Sequence, residues 1–325
     1  MINRRLIRIK VLKIIYSHLQ SQNTIKNSEK ELLHSFQKVY DLYILLIILI
    51  IEIKKELHRI IEARKIKHLP SFEDLHPNMK FINNRIIYAF ENNTHIMKYA
   101  RENSWNWTNY DLYIRKTAKD IERKDFYISY LNNPNDNIQN DATIIKDIVN
   151  HICVYDEENP DEQVDNTEQD QNYTLESILE ERSLYWIDDI DVAKTYILKT
   201  VDAIVDNPSN YKIPQLYKDK ETDIQIATTL LRKTILNWEK WNVYIKEYLE
   251  NWELDRIALM DNIIIKMAIC EMLEIPSIPV EITMDEYIEI SKAFSTPQSY
   301  NFINGIVDKI FKHLKQQNLI QKVII

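Results

Sequence analysis

An all-α fold is predicted by three observations. The chain has a single glycine in 325 residues, its apolar residues recur at helical spacing, and helix-start signals stand ahead of several of those runs. Average usage puts glycine near about 7%, and tight β-hairpin turns favour Asn-Gly or Asp-Gly. A chain built with Gly305 alone is therefore expected to be nearly all helix. The same scarcity excludes much chemistry. Phosphate-cradling loops, dinucleotide fingerprints and the GxSxG nucleophile elbow all need glycines where backbone approaches a ligand or turns sharply.

Taken in order, Ile7, Val11, Ile14 and Ile15 fall at i, i+4, i+7 and i+8, the stripe of a first amphipathic helix. Residues 26–67 follow as one long helix or two. They contain LYILLIILII at 42–51, ten apolar residues closed by Asp41, Glu52, Lys54 and Lys55. A bilayer span needs about 20, so this run is expected as a helix buried on all faces. Further helices are expected over 83–103, 109–131 and 142–154, then over 175–187, 190–205, 223–249, 255–273, 284–293 and 297–317. Thr283-Met-Asp-Glu286 has capping-box spacing, and Thr296-Pro297 sets a capping hydroxyl before a proline suited to the first helical position. Trp105 and Trp107, in SWNWTNYDLY, read as packing residues, with a partner patch as the alternative.

The net charge of −8 is unevenly spread. Residues 1–28 hold Arg4, Arg5, Arg8, Lys10, Lys13 and Lys26 and no acid, whereas residues 156–172, DEENPDEQVDNTEQDQN, hold eight acids and no base. With almost nothing apolar to bury, 156–172 is expected to be an acidic disordered linker. The two cysteines, Cys153 and Cys270, lie far apart without CxxC spacing, which suits a reducing compartment. The eight histidines are scattered and build no zinc-ligand pattern. No metal or cofactor is expected, and the location is expected to be cytoplasmic.

Two surfaces carry residue types suited to binding. On the first helix, Arg4 and Arg8 are four apart and Arg5 and Arg8 three apart, so the guanidiniums share a neighbourhood. Guanidinium is planar, always charged and a bidentate phosphate donor. The expectation is that the first turns extend past the bundle and leave these arginines reaching outward. A solvated basic terminus is the other reading. The second surface is KAFSTPQSYNF, residues 292–302, where unpaired backbone N–H groups at a helix start are joined by Lys292 and several amides, hydroxyls and aromatic rings. Unpaired bases are read by such mixtures. Ordinary capping with core aromatics explains the same residues. Gly305 lies off the stripe Ile303, Ile306, Val307, Ile310 and Leu314. It is expected to permit close approach of a second helix, which would bring the two surfaces onto one face.

Residues 251–310 carry a longer pattern: the W-x-L-D-R-I opening, AICEML, IPSIPVEI, the E-x-I-E-x-x-K-x-F run and S-x-x-F-I-N-G-x-x-D-K. Together with RRLIRIKVLKIIYSHLQSQN at residues 4–23, this resembles the NusB family of bacterial transcription antitermination factors. The resemblance implies a helical bundle of two three-helix subdomains, here enlarged by a mostly helical insertion. The expected organisation is residues 1–45 and 221–325 as the NusB-like domain, 46–155 and 173–220 as insertion, and 156–172 as linker. It also implies binding of boxA-type single-stranded ribosomal RNA together with NusE, a small-subunit ribosomal protein, within an RNA polymerase antitermination complex. By position, Arg4, Arg5, Arg8 and Tyr16 would form the RNA-side helix. Lys292, Phe294, Ser295, Gln298, Ser299, Asn301 and Phe302 would form the second RNA-side segment. Asp255 and Asp261 would face NusE by charge pairing. Leu6 stands where the family often has arginine and Ser295 where glycine is usual. The same fold type serves a ribosomal RNA cytosine methyltransferase, but its cofactor loop needs glycines, so a non-enzyme is expected. A helical interaction scaffold with reduced RNA binding remains the alternative.

Overall fold

The computed structural model describes residues 1–21, 23–153, 174–248 and 256–320. The acidic stretch 156–172 and Asp255 lie outside the described residues. Fifteen α-helices and no strand occur among the described residues: α1 (Arg4–Ser21), α2 (Ile25–Lys65), α3 (Phe72–Leu75), α4 (Arg85–Asn92), α5 (Thr94–Glu102), α6 (Asp111–Arg123), α7 (Asp125–Asn132), α8 (Ile138–Ile152), α9 (Leu175–Arg182), α10 (Ile190–Asp206), α11 (Lys220–Leu236), α12 (Trp238–Lys246), α13 (Leu259–Glu274), α14 (Val280–Phe294) and α15 (Pro297–Gln316). The chain divides into two compact units, residues 1–36 with 216–325, and residues 37–215.

In the first unit α13 is the central helix. Its sequence, LMDNIIIKMAICEMLE, is apolar around the whole circumference, and it packs against α1, α11, α12, α14 and α15. The helices α13, α14 and α15 pack mutually, as do α1, α11 and α13, so the two triads share α13. The shared helix has no solvent side, which explains why Lys266 and Glu271 on it are fully buried among isoleucines and methionines.

In the second unit the LYILLIILII run of α2 is buried on every face, as its length and flanks imply. No helix among the described residues is long and apolar enough to cross a membrane. Trp107 is buried and Trp105 half-buried. The Trp107 indole N–H donates to the Leu45 carbonyl at 2.9 Å, and the Trp186 indole N–H donates to the Lys38 carbonyl at 2.9 Å. The Arg182 guanidinium sits over the rings of Trp105, Trp107, Tyr110 and Trp186. These tryptophans are packing residues.

Three expected helices are broken, two of them at asparagines whose side chains compete for backbone groups. The 83–103 helix divides at Asn93, whose side chain accepts from the His95 and Ile96 N–H groups as the cap of α5. The 223–249 helix divides at Asn237, whose side chain donates to the Lys233 carbonyl at 3.1 Å. The 109–131 helix divides at Lys124, whose backbone is extended. The capping box at Thr283 is not formed. α14 starts one turn earlier, at Val280 after Pro279, and the Thr283 hydroxyl instead donates to the buried Glu271 carboxylate at 2.8 Å. Thr296 does cap α15: its hydroxyl accepts from the Ser299 N–H, with Pro297 in the first turn.

Candidate nucleic-acid interface

In the first unit, α1 runs alongside the second half of α14 in the same direction. Arg5 meets Glu286 midway along α14, and the Lys13 ammonium lies 5.5 Å from the centre of the Phe294 ring at its end. The placement of α1 follows from its stripe: Ile7, Val11, Ile14 and Ile15 are all buried, with Leu6 and Leu12 beside them.

The three arginines have three different fates. Arg8 is only 1% exposed. It donates through Nε and Nη2 to Glu271 on α13, at 2.9 and 2.7 Å, and its Nη1 lies 3.6 Å from Glu286. The Glu271 carboxylate also accepts from the hydroxyls of Thr283 and Tyr287, at 2.8 and 3.2 Å. Burial pulls against the charge on Arg8, yet the hydrogen bonds and charge of Glu271 outweigh it and the guanidinium pKa rises. Arg8 is thus a core ion pair and does not reach outward. It stands three, four and seven residues before Val11, Leu12 and Ile15. That spacing sets it on the buried face. Arg4 is turned toward α11, where its Nη1 lies 3.4 Å from Asp223. Arg5 is exposed and makes a bidentate pair with Glu286, at 2.9 and 3.0 Å, which raises its pKa.

Between the two helices lies a groove of about 360 Å³, lined by Arg5 and Ile9 of α1 and by Glu289, Ile290, Lys292, Ala293 and Phe294 of α14. It brings together Arg5, Lys292 and Phe294. The first turns of α1 therefore face the body of α14, while the α14–α15 corner lies farther along, toward Lys13. Lys292 donates to Glu289 at 2.6 Å. That bond lifts the ammonium pKa and lowers the carboxyl of Glu289. Ile9, Lys13 and Glu289 escaped the sequence reading. Ile9 and Lys13 follow Arg5 by four and eight residues, so their shared face was legible in spacing alone. Tyr16, one turn past Lys13, is 40% exposed.

At the corner, the Ser295 hydroxyl donates to the Asp261 carboxylate. Asp261 is only 4% exposed, in the first turn of α13. The expected partner-facing acid is thus held inside the unit, and the expected RNA-facing serine is what holds it. Ser299 is engaged with the Thr296 cap. Gln298 belongs to the first turn of α15, Asn301 is exposed, and Phe302 is half-buried. Gly305 is exposed on α15, and a Cβ added there meets nothing within 4 Å. No element among the described residues uses it for close approach, and its backbone has no positive φ to require it.

The rest of the chemistry is spare. Burial pushes the thiols of Cys153 and Cys270 up to about 12, so neither is a ready nucleophile. Among the described residues, no group of three or more His, Cys, Asp or Glu side chains is placed to hold a metal. The groove offers cations, an aromatic face and the Glu289 carboxylate, with Glu286 reaching it through its pair with Arg5: binding chemistry.

Residues 186–312 match the family model described as NusB family. Three curated relatives share one name, transcription antitermination protein NusB. The chain is 38% identical to that of Salinibacter ruber over 96 residues, 30% of this chain and 60% of the relative. It is 33% identical to that of Chloroherpeton thalassium over 93 residues, 29% of this chain and 44% of the relative. It is 35% identical to that of Natranaerobius thermophilus over 92 residues, 28% of this chain and 66% of the relative. The chain thus spans only part of the length of these relatives. No solved structure matches it.

Proposed function

Because the chain carries a domain of the NusB family, we propose that it is a non-catalytic transcription antitermination factor whose first unit takes single-stranded RNA along the α1–α14 face. The RNA is a boxA-type ribosomal leader, bound together with NusE as part of an RNA polymerase antitermination assembly that keeps ribosomal RNA transcription processive. The observation that supports this reading most is the groove that collects Arg5, Lys292 and Phe294, with Lys13 against the same ring. A single-stranded nucleotide offers a phosphate to cations and a π-face to an aromatic ring, and the groove has both within one nucleotide's reach. Arg8, being buried, supports the groove by holding α1 on α13 and α14 and does not itself meet phosphate.

The test is a salt-titrated binding measurement with boxA RNA, with and without NusE. Replacing Arg5, Lys13 and Lys292 together by alanine is expected to weaken binding at least tenfold. It should also flatten the salt slope by about 2, at about 0.7 per lost phosphate contact on a single strand. Phe294→Ala should weaken binding by about 1–3 kcal/mol and leave the slope unchanged, because stacking releases no counterions. Unchanged affinity in the triple variant refutes the site. No boxA binding under either condition refutes the function.

One observation favours a second reading. The guanidiniums of Arg4, Arg5 and Arg8 are all engaged in internal ion pairs. A helical scaffold that holds NusE without RNA would show that arrangement, and its NusE affinity would be indifferent to added boxA RNA.

A further inference from the structure

The groove is not simply basic, and its acids are placed with its cations. Glu286, Glu289 and Lys292 recur every three residues along α14, which sets them in one row on the side toward α1. Glu286 takes both forks of Arg5 and also lies 3.6 Å from Arg8. Glu289 takes Lys292 and lies close enough to Arg5 to raise its pKa. Arg5 and Lys292 are therefore matched one for one by carboxylates. Arg8 is already matched by Glu271 within the core.

We propose that Glu286 and Glu289 are selectivity residues of this groove, which rests on the reading of the groove as an RNA site. Their carboxylates occupy Arg5 and Lys292 until a strand arrives that satisfies both the released cations and the released carboxylates. A phosphate that takes the paired edge of Arg5 must displace Glu286, and one that takes the remaining N–H groups still lies beside that carboxylate. Two like charges in contact oppose binding. A strand whose bases present exocyclic amino groups donates to those carboxylates, as cytosine N4 does to Glu or Asp, and so recovers what the broken pairs lose. A generic polyanion has no such donors. The acids thus make the groove conditional on bases, although its cations alone would accept any phosphate backbone.

The pairs are exposed: Arg5 and Lys292 are about half accessible to solvent, and Glu289 likewise. The effect is modest for the same reason. An exposed ion pair contributes up to about 1 kcal/mol, about fivefold in binding. Glu286→Gln and Glu289→Gln keep shape and acceptor oxygen and remove the charge. Each is compared with Glu73→Gln, an exposed acid on α3 of the other unit, which changes net charge equally. Each α14 variant is expected to elute from immobilised heparin at higher salt than Glu73→Gln. Each should bind oligouridylate about two- to fivefold more tightly. The double variant should lose most of its preference for boxA RNA over oligouridylate. Urea midpoints equal to the wild type's confirm that the variants are folded. Heparin elution and oligouridylate affinity no different from Glu73→Gln would overturn the proposal, whatever boxA does. Wild-type protein that binds no boxA, alongside variants held longer on heparin, would sink the RNA reading and leave the charge screen standing.

Discussion

Arg8 offers the sharpest test, because the sequence puts it among outward phosphate ligands and the structure puts it in the core. Its guanidinium and the Glu271 carboxylate are each 1% exposed and share two hydrogen bonds at 2.9 and 2.7 Å. Replacing Arg8 by methionine fills much of the same volume but leaves Glu271 charged in the interior, with only the hydroxyls of Thr283 and Tyr287 donating to it. Removing one member of a buried pair costs about 3–5 kcal/mol. That is a large fraction of the roughly 5–15 kcal/mol by which a domain is stable. Adding Glu271→Gln removes the stranded charge; Thr283 and Tyr287 donate to different carboxylate oxygens, so the amide oxygen accepts from one hydroxyl and the amide NH2 donates to the other once it turns. The double variant should therefore recover most of the loss and lie within about 2 kcal/mol of wild type. If Glu271→Gln alone costs as much as Arg8→Met, the coupling energy from the four-protein cycle should be at least about 4 kcal/mol, beyond the upper end usual for contacting residues. Urea unfolding followed by helical circular dichroism measures this, with an unchanged m-value as the check that the midpoint shift reports stability. If Arg8→Met costs under about 1 kcal/mol and RNA affinity collapses instead, the guanidinium is outward and the account of α1 is wrong.

Two further perturbations bear on the same unit. The Lys266 ammonium is buried, lacks a hydrogen-bond partner and lies 3.5 Å from the centre of the Trp238 ring. Desolvation lowers its pKa to about 8. The unfolded chain then binds this proton more tightly, so the protein should gain stability as pH rises from about 8 toward the ordinary lysine range, up to about 3 kcal/mol. Lys266→Met should abolish that rise and stabilise the protein by about 1–3 kcal/mol at neutral pH, less whatever the ring contact contributes. Urea midpoints that are flat with pH in the wild type and lower in the variant would contradict this. Gly305→Ala should stabilise by about 1 kcal/mol, since an alanine there meets open space and helical backbone. A lowered melting temperature would mean that something approaches the glycine.

Local features were legible in the residues because they depend on neighbours in sequence. One glycine and a 3.6-residue rhythm suffice for an all-helical chain. The LYILLIILII run, too short for a bilayer, can only be a helix buried all round, and Thr296-Pro297 is a helix start whatever surrounds it. The asparagine breaks at 93 and 237 were missed because a side chain competes with its own backbone at a single residue, where periodicity is blind. Charge partners were not legible at all. Arg8 and Glu271 are 263 positions apart, Arg5 and Glu286 281 apart, and Asp261 and Ser295 34 apart. Whether a charge faces solvent, a ligand or its opposite depends on which helices pack together. Tertiary structure alone therefore turned one arginine into core, turned a partner-facing acid into a corner brace, and set two glutamates across the groove that the remaining cations line.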